Sequence, residues 1–577
     1  MSIAQSPSPE PTSEVRRAVQ MVLVTALVGI GVGGVMGFVS YGFVRGVHAL
    51  SEWREQSEFA VVNIGELSLA FGPMLILLVA AMLVLALRRF ISTPHWHGPP
   101  ESIYAAHLAT ASLDTRAGLA STLAAFISAS GGASVGQYGP LVHFGATIGS
   151  LLRHRIGTVI SVDVFIGCGV AGAIAAGFNA PIAGVVFAHE AILRHFSFRA
   201  IAPIVISSIT AAWVRDYILG GAPLFVIDGV TVGLAGLLPL ALLVGPLFGL
   251  LAVLYMRSLH YSARLAARTG WSASRRIIMA ALMTSVIALF MPEVLGLGTA
   301  AMQGMLDGQF GGADLAILIL AKLVATAICL GFGFAGGLFL PAMFIGLGAG
   351  AIASRLLAGT AIMGAGSGLA ICGMAAVGAA VIGAPIAAVL IVLEITASYP
   401  LAVAAMVSIV TAISVSNLLF GSSYFDRLLR DRGVDMTRGR GHVQMMHARI
   451  DALVSDAYAA VSTKSSIADA HQALRAVSTT ECYLVDGEGV LRGKLTLSDM
   501  IDADPSDRAH QYASEGMITI PADASLQDAI EKASHFVGES LPVIDPDTGR
   551  LCGVVTEGAL FRQYLALQNQ VTSSTHS

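Results

Sequence analysis

Long apolar runs near 21–44, 70–88, 201–220, 231–256, 277–291, 312–330 and 401–420 are separated by shorter apolar pieces, 118–129, 165–178, 181–193, 338–350 and 381–394, which Gly, Pro and Asn cut off. The long runs approach or exceed the roughly 20 residues that a bilayer-crossing helix needs, so they predict at least seven spanning helices. The short pieces cannot cross alone and are expected to be half-helices. Irregular backbone survives at membrane depth only where protein or a water-filled cavity surrounds it, so the breaks are expected to line a pathway.

The pattern also repeats. Ala180-Pro181-Ile182-Ala183 with Glu190 recurs as Ala384-Pro385-Ile386-Ala387 with Glu394, the Pro-to-Glu spacing being nine both times at an offset of 204. Upstream, each half carries a glycine-rich break: Gly136-Gln137-Tyr138-Gly139-Pro140, then Gly336-Gly337-Leu338-Phe339-Leu340-Pro341. Duplicated apolar halves with Gly/Pro-interrupted helices suggest a transporter or channel whose substrate sits between the repeats. Helix N-termini offer free N–H groups and about half a unit charge each, which attracts an anion without a mobile counter-ion. Glycine permits close backbone approach, and proline at a helix start forfeits no hydrogen bond.

Composition agrees. The chain is 55% hydrophobic and 12% charged, with a mean hydropathy of +0.75, against about 25% charged in a soluble domain. Half of its 70 Asp, Glu, Lys and Arg residues lie after residue 420, so an apolar body is followed by a soluble tail. Arg16 and Arg17 precede the first run, and Arg427, Arg430, Arg432, Arg438 and Arg440 follow the last. By the positive-inside rule both ends are expected in the cytoplasm. The segment 257–276 holds five Arg and no acid, which argues for the same side, whereas inverted halves counted from the amino terminus place it outside. Met1–Gln20 is Pro/Ser-rich and polar, with no secretory cleavage pattern, and it and residues 571–577 are expected to be disordered tails. The five scattered Cys form no CxxC and no framework.

The motif set Gly136-Gln137-Tyr138-Gly139-Pro140, Gly177-Phe178-Asn179-Ala180-Pro181, Gly337-Leu338-Phe339-Leu340-Pro341 and Gly383-Ala384-Pro385 with Glu394 resembles the CLC family of chloride channels and chloride/proton exchangers. The resemblance covers roughly 21–425. It implies an α-helical polytopic membrane protein of inverted-repeat architecture with broken helices, a homodimer in contact with membrane lipid, and one pathway for chloride or a similar small anion per subunit. It places the amides of Gln137, Tyr138 and Gly139 at an outer anion site and those of Leu338 and Phe339 at a central one. Tyr424 matches the tyrosine whose hydroxyl touches the central anion; it suits an interfacial aromatic anchor as well.

Three departures from the family pattern carry functional information. Tyr138 stands where the gating, proton-carrying glutamate is usual, and a phenol near pKa 10 does not cycle protons at neutral pH. The inner proton-relay glutamate falls on Ala191, because Glu190 aligns with the first member of the exchangers' Glu-Glu pair. The Gly-Ser-Gly-Ile-Pro segment corresponds to Trp96-His97-Gly98-Pro99-Pro100, so His97 replaces the central serine, with Gly98 beside it. With a reference pKa near 6.5, protonation of His97 is expected to raise anion affinity as pH falls. Lys322, within an apolar run, is expected either to face the pathway or to pair with a carboxylate, Glu190 or Glu394.

The tail repeats too. Tyr483-Leu484-Val485-Asp486-Gly487 with Gly493–Asp499 is echoed by Leu541-Pro542-Val543-Ile544-Asp545 with Gly553–Ala559, each preceded by a helix start, Ser465-Ser466-Ile467 or Ala524-Ser525-Leu526, in which Ser caps the helix. This resembles a tandem pair of CBS domains over about 446–570. In such α/β pairs an adenine nucleotide is often bound; Thr496 and Asp499 match ribose-holding positions, and the second copy keeps Thr556 but has Ala559 for the acid. The expected domains are thus a tail (1–20), an anion-pathway domain (21–425), a linker (426–445), CBS-like repeats (446–505 and 510–570) and a tail (571–577).

The reading that follows is a channel with Tyr138 as gate, passing anions passively because both coupling carboxylates are replaced. It requires no cofactor, catalytic residue, metal or nucleic-acid partner. Alternatives are an exchanger with a proton path rerouted through His97, His189 or water, and a non-conducting nucleotide sensor. An embedded enzyme is disfavoured: His189-Glu190 begins like a His-Glu-x-x-His zinc motif, but Leu193 stands where the second His belongs.

Overall fold

In the computed structural model, described for residues 11–56, 61–64, 67–93, 95–108, 113–156, 160–227, 234–357, 366–514 and 516–576, the chain divides into Met1–Gly433 and Val434–Ser577. The first unit opens with α1 (Pro11–Glu55), the antiparallel strands β1 (Val61–Ile64) and β2 (Leu67–Ala70), α2 (Gly72–Ile91), α3 (Pro99–His107), α4 (Thr115–Ser130), α5 (Tyr138–Ile156), α6 (Val162–Phe178), α7 (Pro181–Phe187) and α8 (Phe198–Trp213). It continues with α9 (Leu234–Arg268), α10 (Ala273–Phe290), α11 (Thr299–Leu306), α12 (Gly312–Phe332), α13 (Phe339–Leu357), α14 (Gly366–Ile382), α15 (Pro385–Thr396), α16 (Tyr399–Phe420) and α17 (Tyr424–Arg430).

The second eight helices repeat the packing of the first. α1 lies on α6 and α8 as α9 lies on α14 and α16; α2 meets α4 as α10 meets α12; α3 meets α5 as α11 meets α13. The closest crossings are glycine on glycine. A Cβ on Gly145 would sit 2.2 Å from the Gly169 carbonyl oxygen, and one on Gly346 would sit 2.1 Å from that of Gly373, so in both halves only hydrogen side chains allow the α5–α6 and α13–α14 contacts. Small residues are how membrane helices reach such contact, since lipid supplies no hydrophobic drive between them.

The breaks arise from local chemistry repeated twice. α6 ends on Asn179 in the left-handed region (φ 57°) and α14 on Gly383 (φ 75°), and in each case Ala-Pro follows, with proline at the first turn of the next helix. The piece expected as one half-helix, 381–394, is therefore cut inside itself. The piece expected as 338–350 is longer: α13 runs 19 residues and joins the seven runs anticipated, giving eight helices long and apolar enough to span among the described residues.

Residues 11–20 extend α1 as helix rather than forming a disordered tail, their Pro, Glu, Arg and Ala suiting a helical first turn; residues 1–10 lie outside the described set. The basic segment 257–276 is tied to the end of the last long helix. Arg257 donates to the Leu419 carbonyl (2.9 Å) and His260 meets Asp431 (3.6 Å), so this basic segment shares the face on which α16 ends and α17 begins.

The second unit holds α18 (Arg440–His447) and two three-stranded sheets. One orders β3 (Ala459–Ser462), β4 (Glu481–Val485) and β5 (Leu491–Thr496), with α19 (Ile467–Val477) after β3; the other orders β6 (Ile520–Pro521), β7 (Leu541–Ile544) and β8 (Leu551–Val555), with α20 (Leu526–Ala533) after β6 and α21 (Glu557–His576) at the end. In each, the first pair is parallel, the second antiparallel, and a bulge falls late in the middle strand. Ser466 accepts from the Asp469 amide and Ser525 from that of Asp528, the expected caps. The copies are joined by Tyr483, whose hydroxyl donates to the Ser540 carbonyl (2.7 Å), and by the Glu481 carboxylate, which accepts from the Glu539 and Ser540 amides and pairs with Lys494. The expected linker 426–445 is itself partly helical, α17 within the first unit and α18 within the second. Residues 571–576 continue α21 instead of forming a loose tail.

Candidate functional site

The two glycine-rich breaks bond directly to each other. Gly136 and Gly337 exchange both amide-to-carbonyl hydrogen bonds at 2.6 Å, so the starts of α5 and α13 meet at the junction of the repeats. A Cβ on either glycine would come within 3.0 Å of the opposite backbone, which is why glycine stands at both positions. The first-turn N–H groups of both helices, at Gln137, Tyr138 and Gly139 and at Leu338 and Phe339, are thereby gathered.

Tyr138 is buried, its ring stacked on Phe178 at 3.6 Å, and its hydroxyl donates to the Gly177 carbonyl (3.3 Å). Phe178 in turn meets Phe339 edge-on at 5.8 Å. An aromatic row thus runs from one helix start to the other. Tyr255, from α9, donates to the Leu338 carbonyl (3.1 Å) and, like Tyr424, is buried. Gln137 is fully buried, its carboxamide beside the Tyr138 hydroxyl.

Around α3 the donors are distributed differently from the sequence-based expectation. The His97 amide is spent on the Ser121 hydroxyl (2.8 Å), and the Gly98 amide on the Glu101 carboxylate (2.7 Å), which also pairs with Arg432. Gly98 therefore caps its own helix, because a glutamate three residues on completes a capping box, and its amide does not face an anion. What this segment presents is the His97 ring, whose Nδ1 is buried without a partner.

The carboxylates of the repeat are engaged as well. Glu190 accepts from the amides of Ile386 (2.9 Å) and Ala387 (2.8 Å), and Glu394 from those of Ile182 (2.9 Å) and Ala183 (2.8 Å). Each half caps the N-terminus of the other half's broken helix, where negative charge is favoured. Glu190 lies in a π-helical turn, Ala188–Leu193, with Ala191 buried beside it. Lys322 pairs with neither glutamate. Fully buried, it donates to the carbonyls of Val294 and Gly296 (2.9 Å each) and lies over the Phe344 ring.

His143 and Tyr255 were not singled out by sequence reasoning, and Phe178 only as a letter of the Gly177–Pro181 motif, without a role. A histidine one and a half turns into an otherwise apolar helix was a signal for the first; the other two are aromatic residues indistinguishable from core. In the second unit, Thr496 holds Asp499 through both its amide (2.9 Å) and hydroxyl (2.7 Å), whereas the Thr556 hydroxyl accepts only the Ala559 amide (3.2 Å).

Inverted broken-helix halves whose glycine-rich starts meet define an ion-pathway fold, and comparison with known proteins gives the family. The family model of voltage gated chloride channels matches residues 79–417, and that of CBS domains matches 509–566; the chain belongs to the voltage-gated chloride channel (CLC) family. It is 27% identical over 429 residues to chloride channel protein CLC-f of Arabidopsis thaliana, covering 68% of this chain and 54%, about half, of that protein. It is 26% identical over 309 residues to the H(+)/Cl(-) exchange transporter ClcA of Vibrio cholerae, covering 52% of this chain and 66% of the relative. Among solved structures, a eukaryotic CLC transporter matches with a TM-score of 0.61 at 18% identity, over 94% of this chain and 98% of that one.

Proposed function

We propose that this chain passes chloride or a similar small anion across a membrane passively, without coupling to protons. The observation that carries the reading is the fate of the carboxylates. At the outer position a tyrosine, Tyr138, is stacked and hydrogen-bonded in place; at the inner position stands Ala191, and the neighbouring Glu190 is committed to capping α15. Neither position offers a group that gains and loses a proton near neutral pH. The anion's donors are the first-turn amides at Gln137, Tyr138, Gly139, Leu338 and Phe339, the Gln137 side chain, the His97 ring and Tyr424, with Tyr138 as gate. The protein works as a homodimer in lipid, its termini in the cytoplasm, and the CBS pair takes an adenine nucleotide at Thr496 and Asp499.

One observation favours a second reading, an exchanger. His189 directs Nδ1 at the His195 carbonyl (2.9 Å), and its Nε2 is buried without a partner, two residues from Ala191. Such a nitrogen is free to take a proton. Efflux from liposomes holding the full chain separates the readings, with potassium and valinomycin clamping the potential and external pH recorded. Passive transport gives chloride efflux with no proton movement, and Tyr138→Ala raises it severalfold. Proton uptake in fixed ratio to chloride overturns the proposal.

A further inference from the structure

The start of α3 is a helix N-terminus almost without donors. Pro99 and Pro100, its first two residues, have no N–H; the Gly98 amide is taken by Glu101 and the His97 amide by Ser121. An anion at this end of the pathway finds no free backbone amide there and needs side chains instead. Two imidazoles stand ready. His143, on α5, is fully buried with Nδ1 2.8 Å from the Ser102 hydroxyl of α3, and its Nε2 is buried with no partner among the described residues. The half-buried His97 ring lies edge-on to it, centroids 5.7 Å apart, with its own Nδ1 buried and without a partner.

We infer that His97 and His143 form a two-imidazole anion site, with a halide-sized anion held between Nδ1 of His97 and Nε2 of His143. The inference rests on the anion-pathway reading and names the donors that replace α3's missing amides. Ser102 orients His143: with its O–H donating to Nδ1 of that ring, the imidazole proton sits on Nε2 and points at the anion. His97 contributes a second donor when its Nδ1 carries a proton. The other charged and titratable groups facing the pair are few. Glu101 is occupied by the Gly98 amide, Arg432 and His95 (3.4 Å), and Asp114 is spent capping α4, so no unopposed carboxylate repels the anion. The cluster does not gather three potential metal ligands in a metal-binding arrangement among the described residues. Protonation of His97 at low pH adds a full charge to the donor it already offers as a neutral Nδ1–H tautomer, and that proton need not cross the membrane.

Bromide is the probe, used on the full-length purified protein. Anomalous scattering from bromide-soaked crystals is expected to show density between the two rings; density at the starts of α5 and α13 with none between the rings overturns the inference. Calorimetric bromide titration is expected to tighten from pH 8 to pH 5.5. His143→Leu weakens it about tenfold, the loss of one hydrogen bond to a charged group, while His143→Gln, which restores an N–H near the same place, keeps affinity within about threefold and retains the pH dependence, which His97 carries. Binding by His143→Leu equal to that of the unsubstituted protein, at every pH, also overturns it. The crystal experiment needs no variant, so a misfolded His143→Leu leaves the question decidable. Flux stands apart: proton-coupled flux with bromide seated between the rings would refute passive transport and leave the site, whereas passive flux with the rings empty would do the reverse.

Discussion

The two halves of the membrane body share a backbone plan and differ in what they do with one position. Ser121 lies seventeen residues before Tyr138, and Lys322 seventeen before Phe339; each reaches the segment that leads into the short helix of its own half, α3 or α11. Ser121 accepts the His97 amide and sends its hydroxyl to the Ala117 carbonyl, adding no charge. Lys322 drives an ammonium into the equivalent place and ties the carbonyls of Val294 and Gly296 to it. The first half keeps the rings of His97 and His143 beside its loop. The second is sealed by a cation whose own donors are directed at backbone. A duplicated fold thus treats two equivalent loops in opposite ways: in one a serine accepts a backbone amide, in the other a lysine donates to two backbone carbonyls.

The strongest way to break this comparison is Lys322→Met. Methionine fills the space but leaves two buried carbonyls without their donor, at about 1–3 kcal/mol each, partly offset by relief of the buried charge, so a net loss of about 2–4 kcal/mol is expected. The unfolding midpoint in detergent reports it, read by a thiol-reactive dye on the buried Cys168, Cys329 and Cys372 after the exposed Cys552 is blocked and the buried Cys482 of the second unit is replaced by Ala. A variant as stable as the unsubstituted protein would mean that the ammonium does not seal the second half.

A smaller effect tests where the halves are alike. Glu190→Gln and Glu394→Gln each exchange a charge-assisted double cap for a neutral one, at a cost of about 1–2 kcal/mol. The two losses are expected to agree within about 0.5 kcal/mol, since the geometry of each cap matches the other to 0.1 Å. Both variants are expected to keep passive chloride flux. If Glu190→Gln alone abolished flux without loss of stability, Glu190 would belong to the transport pathway and the symmetry would be structural only.

Much of this plan is legible in the letters. Asn179-Ala180-Pro181 and Gly383-Ala384-Pro385 each write a left-handed stop followed by a proline start, and both are local chemistry that tertiary context does not overturn. Pro99-Pro100 announces its missing N–H groups as plainly. What the letters do not carry is partnership across long separations. The Gly136–Gly337 bridge, the exchange of caps between Glu190 and Glu394, and the choice of Lys322 for carbonyls over carboxylates depend on how helices cross. That geometry is set by many small residues jointly, so a lysine in an apolar run reads equally as a partner of acid, backbone or pathway. His143 was missed for the same reason: its meaning comes from Ser102 and His97, which lie on other elements.

The smallest effect sharpens the comparison most directly. Ser121→Ala removes the acceptor of the His97 amide and leaves that N–H buried or turned to water, at about 1 kcal/mol. Its influence on stability is therefore expected to be a fraction of that of Lys322→Met, although the two positions are equivalent in the repeat. Its influence on the anion is expected to be the larger of the two. With the loop no longer pinned, the His97 ring loses its fixed orientation, and bromide binding weakens about threefold to tenfold, whereas Lys322→Met, on the sealed side, leaves bromide affinity unchanged once the protein is folded. Calorimetry on both variants, each held well below its unfolding midpoint, gives the crossing pattern: large on stability and none on binding for one, small on stability and clear on binding for the other. Parallel losses in both quantities would show that the halves do not divide the labour, and that the serine and the lysine are two answers to the same packing requirement.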